Sequence, residues 1–551
     1  MERRVFVKRA AAALGASVLP APVFAGTRRA RADLVLRRAR IFDGSGAAAA
    51  IGDVAVAGGR ITEVAARIAA RGAEELDLDG LALAPGFIDT HSHTDLQLLR
   101  DPRADSKVRQ GVTTDVTGQD GSSVAWSEDA LAEARARYGD VDFRDVAGFL
   151  RHLDRRGAAL NLASMIGAGT VRGLVVGQDD RPASPAELQR MVGLVQAAID
   201  GGACGVSSGL EYTPGAFADA AELEALVAPL RAAGLPFASH MRNEDDRLLG
   251  AMEEVIGVGQ RAGVAVQISH LKAQGARNWW KTDAALRLID DAVARADTDV
   301  MFDVYPYEAY STGLSNLFPV WAREGGTARF LERLADPAQA ARIEDAVRAK
   351  IMSLGSWDAV QMTSASAPAY SWVAGQRLGA AAQGRGVEPY ALLLEIIRGD
   401  RARTGMVGFG MKEENVARKL AHPRSMVCSD GGAQTMGSGV PHPRSYGTFP
   451  RVLGRFVREL EALPLETAIA KMTSVPAARL RFTDRGRIAA GLVADLVVFD
   501  PGAVADRATF EQPHQYPVGI PHVLVNGTFV VRDGEHTGAT PGRAVRPARP
   551  G

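Results

Sequence analysis

The sequence predicts an α/β fold: a metal-dependent (β/α)8 barrel of the TIM type, a small β-sandwich domain built from both chain ends, and an insertion between barrel strands 7 and 8. Three observations carry this reading. Short apolar runs near 84–89, 112–117, 161–166, 204–209, 235–239, 264–269, 299–305 and 425–429 alternate with helical periodicity, the pattern of parallel strands joined by helices. Several runs end in a metal-compatible side chain, where a barrel carries its active site. Strand-like clusters stand at both ends of the chain, before the first run and after the last.

Taken in order, residues 1–25 are set apart. Arg3-Arg4 precede an apolar, Ala-rich stretch that closes in Val23-Phe24-Ala25, a cleavage-like triplet, and the whole resembles a twin-arginine export signal. The mature protein is therefore expected in the periplasm or exported. No other apolar stretch is long enough to span a bilayer.

Residues 26–84 and 486–551 are expected to form the small β domain. Leu34, Val54 and Leu76 centre short runs separated by turns such as Gly58-Gly59, read as antiparallel strands. At the far end, 494–499, 522–525 and 529–531 repeat the pattern, with a hairpin turn at Asn526-Gly527. Residues 85–485 form the barrel. Its best-marked helix opens at Ser184, with Pro185 in the first turn and Glu187 completing a capping box. Further helices are expected near 220–233, 249–262 and 282–296. The stretch from about 310 to 424 is too long for a loop and is expected to hold an insertion with its own helices, covering the site mouth. Trp279-Trp280 are candidates for its rim, or for simple packing.

With 551 residues, the chain can bury one large core and still furnish a second small domain. Its 64 Lys+Arg balance 64 Asp+Glu, with no basic stripe, which argues against a nucleic-acid partner and for a small-molecule substrate. Cys204 and Cys428 lie in apolar runs and read as free buried thiols.

The chemistry begins at Pro85-Gly86-Phe87-Ile88-Asp89-Thr90-His91-Ser92-His93. In extended chain, residues two apart share a face, so His91 and His93 point together and suit one metal ion. Ser239-His240, Ser269-His270 and Cys428-Ser429-Asp430 each close a further run.

That order of motifs, with 205–210, Asp303-Val304-Tyr305-Pro306-Tyr307 and His442-Pro443-Arg444, resembles the amidohydrolase superfamily, and within it the N-acyl-D-amino-acid deacylase (D-aminoacylase) group. The resemblance implies hydrolysis of an N-acyl-D-amino acid to a carboxylate and a free D-amino acid. It implies metal ligands at His91, His93, Asp120, His240, His270 and Asp430, with Asp430 as general base and acid. Imidazole and carboxylate donors suit Zn2+, as one or two ions, which makes hydroxide available near neutral pH. Where the group commonly has Gly-Asn-Cys-Gly, this chain has Gly118-Gln119-Asp120-Gly121. A carboxylate can bridge two ions but is harder than a thiolate and loosens the preference for zinc over other divalent metals. Glu211 is the competing bridge. Ala168 stands where relatives often have histidine. Tyr212, Lys272 and Ser311 match positions that hold the substrate carboxylate, with Tyr305 or Tyr307 as further contacts and Arg242 and Arg444 as reserve cations. The alternatives are a cyclic amide or dipeptide substrate in the same barrel, and a catalytically silent metal-binding protein.

Overall fold

The computed structural model describes residues 32–139, 141–295 and 298–549; the expected signal at 1–25 lies outside them. The first chain end gives β1 (Leu34–Ile41), β2 (Ala50–Ala57), β3 (Arg60–Ala65), β4 (Glu74–Asp77) and β5 (Ala82–Pro85). β1, β2 and β3 pair antiparallel. Gly58 and Gly59 turn the β2–β3 hairpin at φ +57° and +77°, the left-handed pair that a two-residue hairpin requires. The expectation of antiparallel pairing fails at β4, which runs parallel to β1. The connection after β3 is too long for a tight hairpin and crosses back, so that β4 enters in the same sense as β1.

The barrel strands follow as β6 (Phe87–Asp89), β7 (Val112–Thr117), β8 (Asn161–Ser164) with its continuation β9 (Ile166–Gly167), β10 (Val206–Gly209), β11 (Phe237–His240), β12 (Val266–Ile268) and β13 (Val300–Val304). Next come β14 (Ala309–Gly313), β15 (Val360–Ser364) and β16 (Gly405–Phe409), then the last barrel strand, β17 (Ser425–Val427). β6 to β8 pair in parallel, as do β9 to β13 and then β17. Past the last strand, Asp430 N donates to His91 O (2.9 Å) and His93 N to Gly431 O (3.1 Å), which joins β17 to β6 and closes the ring. Helix Pro185–Asp200 carries the capping box read from Ser184 and Glu187.

β14, β16 and β15 form a separate antiparallel sheet. With helices Gly326–Ala335, Pro337–Leu354, Leu378–Arg385 and Pro389–Gly399 it encloses its own apolar core, which includes Leu317, Ile351, Leu393 and Met406. This inserted unit is shorter at its end than expected. Helix Glu413–Ala421 packs instead on β13 and β17, and its Val416 and Leu420 join the barrel core.

The far chain end supplies β18 (Leu496–Phe499), β19 (His522–Val525), β20 (Thr528–Arg532) and β21 (Glu535–His536). β18 pairs with β5, so the expected sandwich takes the form of one nine-stranded sheet drawn from both ends. Strand alternation explains why all of β18 is buried. Leu496 and Val498 enter the small core with Leu36 and Val54, while Val497 and Phe499 face the barrel core. Asn526 (φ +49°) and Gly527 (φ +77°) make the β19–β20 turn read from the sequence. Residues 542–545, expected in the β domain, return to the barrel, where Val545 N donates to Leu162 O (2.8 Å). No helix among the described residues is long and apolar enough to cross a membrane.

Candidate metal centre and active site

Every donor of the cluster sits at or just past the C-terminal end of a barrel strand. His240 ends β11; Asp120, His270 and Asp430 follow β7, β12 and β17 within three residues. Those last three adopt left-handed backbone, at φ +52°, +34° and +50°. Such conformations cost a non-glycine residue of order 1–3 kcal/mol and persist where surrounding structure enforces them. Gly118 (φ +73°) and Gly209 provide the enforcing close approach: a Cβ on Gly209 would lie 2.1 Å from the Asp120 carbonyl oxygen, and one on Gly118 2.2 Å from that of Met165.

The side chains converge. His91 Nε2 lies 3.3 Å from Asp120 Oδ1 and 3.6 Å from Asp430 Oδ1, and His93 Nε2 3.1 Å from Asp430 Oδ1 and 3.6 Å from Asp120 Oδ2. On the other side of Asp120, His270 Nε2 is 3.3 Å from Oδ1 and 3.0 Å from His240 Nδ1, while His240 Nδ1 is 3.8 Å from Oδ2. Tetrahedral donors about 2.1 Å from an ion stand about 3.4 Å apart, so both groups have the spacing of a ligand set. They share Asp120. Glu211 Oε2 faces the opposite nitrogen of His240, at 3.2 Å, and groups with Glu244 rather than with His91 and His93. Asp120 is the residue common to the two groups that contain His91, His93, His240, His270 and Asp430, whereas the group of Glu211 and Glu244 shares His240.

His91 is fully buried, and neither of its ring nitrogens has a hydrogen-bond partner among the described residues. A buried imidazole left in that state is costly unless a cation completes it. The electrostatics agree. Burial opposes charge on His93 and His240, yet the carboxylates facing them, Asp120 and Asp430 for the first and Glu244, Asp120 and Glu211 for the second, raise both to about 10. Burial likewise opposes ionisation of Asp120 and Asp430, but His91 and His270 hold Asp120 well below the usual carboxylate range, and Arg444 above all does so for Asp430. The site favours positive charge, as a proton or as a divalent ion.

A second tier orients these groups. Asp303 accepts from the His270 backbone N–H and from Gln267 Nε2, both at 2.6 Å. Buried Lys107 reaches Asp89 (2.6 Å), Ser429 Oγ (2.8 Å) and Ser92 Oγ (3.1 Å), tying the ends of β6 and β17 together.

Of the substrate positions taken from resemblance, Tyr212 and Ser311 line a cavity of about 590 Å3 that opens onto His93, Asp120 and Asp430. Lys272 shares the wall of a small adjoining cavity with Tyr212 and Ser311; it is 3% exposed, and its Nζ lies 2.8 and 3.0 Å from the two Glu244 oxygens and 2.6 Å from His270 Nδ1. Arg242 is structural, held by Glu254 and the carbonyls of Ala216 and Ala218. Tyr307 donates to Pro443 O at 3.4 Å. Tyr305 is buried beneath Lys272 and Arg444. Trp279 donates to Gly410 O, Trp280 is exposed, and neither lines the cavities beside the cluster. Ala168 opens helix Ala168–Val175 and is buried. Both cysteines are free and buried. Glu244 was not singled out from the sequence; an acid four residues past His240, in the run Asn243-Glu244-Asp245-Asp246, looks like an ordinary solvated loop.

Residues 74–531 match the model of the amidohydrolase family. The chain belongs to that family. Within it, D-aminoacylase of Alcaligenes xylosoxydans xylosoxydans is 36% identical over 517 residues, covering 93% of this chain and 97% of the relative. N-acyl-D-glutamate deacylase of the same organism is also 36% identical, covering 93% and 96%. The crystal structure of N-acyl-D-glutamate deacylase from Bordetella bronchiseptica, complexed with zinc and a phosphonate mimic of the tetrahedral intermediate, superposes with a TM-score of 0.79 at 34% identity, over 94% of this chain and all of that one. An amidohydrolase further off, L-hydantoinase from Arthrobacter aurescens (16% identity, TM-score 0.55), shares the fold alone.

Proposed function

We propose that this amidohydrolase cleaves the amide bond of N-acyl-D-amino acids with the help of divalent metal, zinc by preference, releasing a carboxylate and a free D-amino acid. The observation that carries the reading is Asp430: its Oδ1 borders His91 and His93, its Oδ2 meets Arg444, and it faces the 590 Å3 cavity. His91, His93, Asp120 and Asp430 would hold one ion, and Asp120, His240 and His270 a second. When bound, the metal supplies Lewis-acid activation of water and of the scissile carbonyl. Asp430, kept ionised by Arg444, takes the proton of the attacking water and returns it to the departing amine nitrogen, so that one carboxylate serves as base and then acid. Arg444, with the hydroxyls of Ser311 and Tyr212 nearby, receives the substrate carboxylate, and Lys272 braces Glu244 and His270 beneath it.

The paired arginines and residues 23–25 support export in folded form; Arg3→Lys with Arg4→Lys should leave the protein in the cytoplasm. Balanced charge supports a small-molecule substrate. The cyclic-amide reading has weaker support, since its bearers resemble this chain in fold only. The test uses purified signal-free protein of known metal content and measures amine release from matched N-acetyl-D- and N-acetyl-L-amino acids, with and without chelator. Chelator-sensitive release from the D series supports the reading. Silence in both series, with hydantoin opening by the same metal-loaded protein, overturns it.

A further inference from the structure

We propose that Glu211 is a positioning residue of the metal centre: it accepts the Nε2–H of His240, so that His240 meets the ion through Nδ1, and the inserted unit holds Glu211 in place through Arg323. The proposal rests on the metal half of the reading above and is independent of the substrate.

The two ring nitrogens of His240 face different surroundings. Nδ1 lies 3.0 Å from His270 Nε2 and 3.8 Å from Asp120 Oδ2, on the side where an ion shared with those two residues would sit. Nε2 lies 3.2 Å from Glu211 Oε2. A neutral imidazole carries its proton on one nitrogen and a free lone pair on the other. With the Nδ1 lone pair given to a metal, Nε2 keeps the proton and needs an acceptor, and Glu211 is that acceptor. A carboxylate on the far nitrogen of a ligand histidine fixes the tautomer and orientation of the ring and makes it the better donor.

A third ion is the competing use, since Glu211, His240 and Glu244 stand close enough to form a ligand group of their own. Two observations oppose it. His240 would have to surrender both ring protons to serve that ion and the one beside Asp120 together. Glu244 already accepts from Lys272 Nζ at 2.8 and 3.0 Å and from Gln274 Nε2 at 2.9 Å, so a divalent ion there would stand against a buried ammonium.

The grip on Glu211 comes from the inserted unit. Arg323, at the end of the turn Val320–Arg323, donates Nη2 to Glu211 O at 3.0 Å and Nη1 to Asn316 Oδ1. Asn316 Nδ2 donates to Thr312 Oγ1 at 2.6 Å, and that hydroxyl lies 3.5 Å from the Tyr212 hydroxyl. Tyr212 in turn packs its ring on His240, with centroids 4.6 Å apart. Both residues of the Glu211-Tyr212 pair therefore touch His240, and both are tied to the same insertion. Arg323 is 9% exposed and spends its hydrogen bonds on a carbonyl and an amide oxygen, an arrangement that leaves much of its desolvation cost uncompensated and that places the backbone of Glu211.

The test needs no substrate. Zinc-loaded protein is equilibrated against graded concentrations of a zinc chelator, and the zinc retained is counted by elemental analysis. The unaltered protein is expected to hold no more than two ions per chain. Glu211→Ala should release one ion about 10–100-fold more readily and keep the other as the unaltered protein does, because a general loosening of the fold would weaken both. Glu211→Gln, whose amide oxygen still accepts the N–H, should recover most of that loss. Arg323→Met should weaken the same ion by a smaller factor; no change there would overturn the part given to the inserted unit. Three ions in the unaltered protein, one of them missing from Glu211→Ala, would make Glu211 a ligand and overturn the proposal. Zinc retention unchanged in Glu211→Ala, or weakened equally for both ions, would overturn it as well while leaving the metal reading intact. Absence of bound zinc from the unaltered protein would remove that reading, and this proposal with it.

Discussion

Arg444 Nη1 lies 2.6 Å from Asp430 Oδ2, with side chains only 6% and 7% exposed. The guanidinium does two things at once: it keeps Asp430 ionised against its burial, and with its other nitrogen it reaches Ser311 O at 3.3 Å, on the first strand of the inserted unit. Arg444 thus joins Asp430, the proposed proton carrier, to the cavity wall. Asp430→Asn keeps the shape and removes the proton acceptor, so turnover should fall by 10²–10⁴ while protein-bound metal, counted by elemental analysis, falls by less than one ion per chain. Unchanged turnover would remove Asp430 from the mechanism.

Arg444→Ala tests the other half of the pair. Asp430 then loses the largest influence depressing its carboxyl. A depressed carboxyl stays ionised above its own folded-state value, so in the unaltered protein Asp430 sets no acid limb near neutrality. Without Arg444 that value rises, and an acid limb in kcat against pH should move upward toward the ordinary carboxylate range. KM for the N-acyl amino acid should rise as well, because the same cation is the proposed partner of the substrate carboxylate. Arg444→Lys, which keeps the charge but loses the fork, should recover part of the first effect and less of the second.

How much of this was legible in the sequence depended on range. His91, His93, His240, His270 and Asp430 could be read because each closes an apolar run, and the strand ends of a barrel converge whatever the loops do. The turns at Gly58-Gly59 and Asn526-Gly527 and the cap at Ser184 are local, and the structure has them. Pairings between distant segments left no local trace. Nothing near Lys272 announces that Glu244, 28 residues earlier, neutralises it. Nothing near Lys107 points to Ser429, 322 residues away. The parallel entry of β4 and the return of residues 542–545 to the barrel are likewise decided by packing, not by propensity.

Glu244 is the strongest candidate for a residue that acts through others. It accepts from Lys272 and from Gln274 Nε2 (2.9 Å) and stands 3.2 Å from His270 Nδ1. Glu244→Ala strands a buried ammonium, a change that costs about 3–5 kcal/mol when one partner of a buried pair is removed. It also frees the His270 ring, and loss of such an outer partner typically weakens metal affinity 10–100-fold. Thermal unfolding and metal titration should both register it. Glu244→Gln, which keeps two hydrogen-bonding atoms, should restore most of the metal affinity but not all of the stability.

Asp120 is where this chain departs from the thiolate of its family resemblance, and its carboxylate spans both donor groups. Asp120→Ala should lower bound metal by at least one ion per chain, since neither group keeps its shared donor. Asp120→Cys should hold zinc more selectively against manganese than the unaltered protein does, because a soft donor replaces a hard one. Competition dialysis with both metals reads this directly, independently of turnover. Equal selectivity in the two proteins would mean that Asp120 does not touch the ion.

Lys419 provides a test of stability against pH. It is 3% exposed, donates to Leu271 O at 2.7 Å, and burial, aided by nearby Lys272, lowers its ammonium to about 7. In the unfolded chain a lysine titrates near 10.4. Between those values the unfolded state binds more protons than the folded one, so unfolding free energy gained from this group rises as pH climbs from about 7 toward 10. Below 7 both states are protonated and the full penalty, a few kcal/mol, is present. Lys419→Met removes that penalty. Relative to the unaltered protein, its Tm should be highest at pH 6–7 and the difference should shrink steadily toward pH 10. A difference independent of pH would show that Lys419 is accommodated charged.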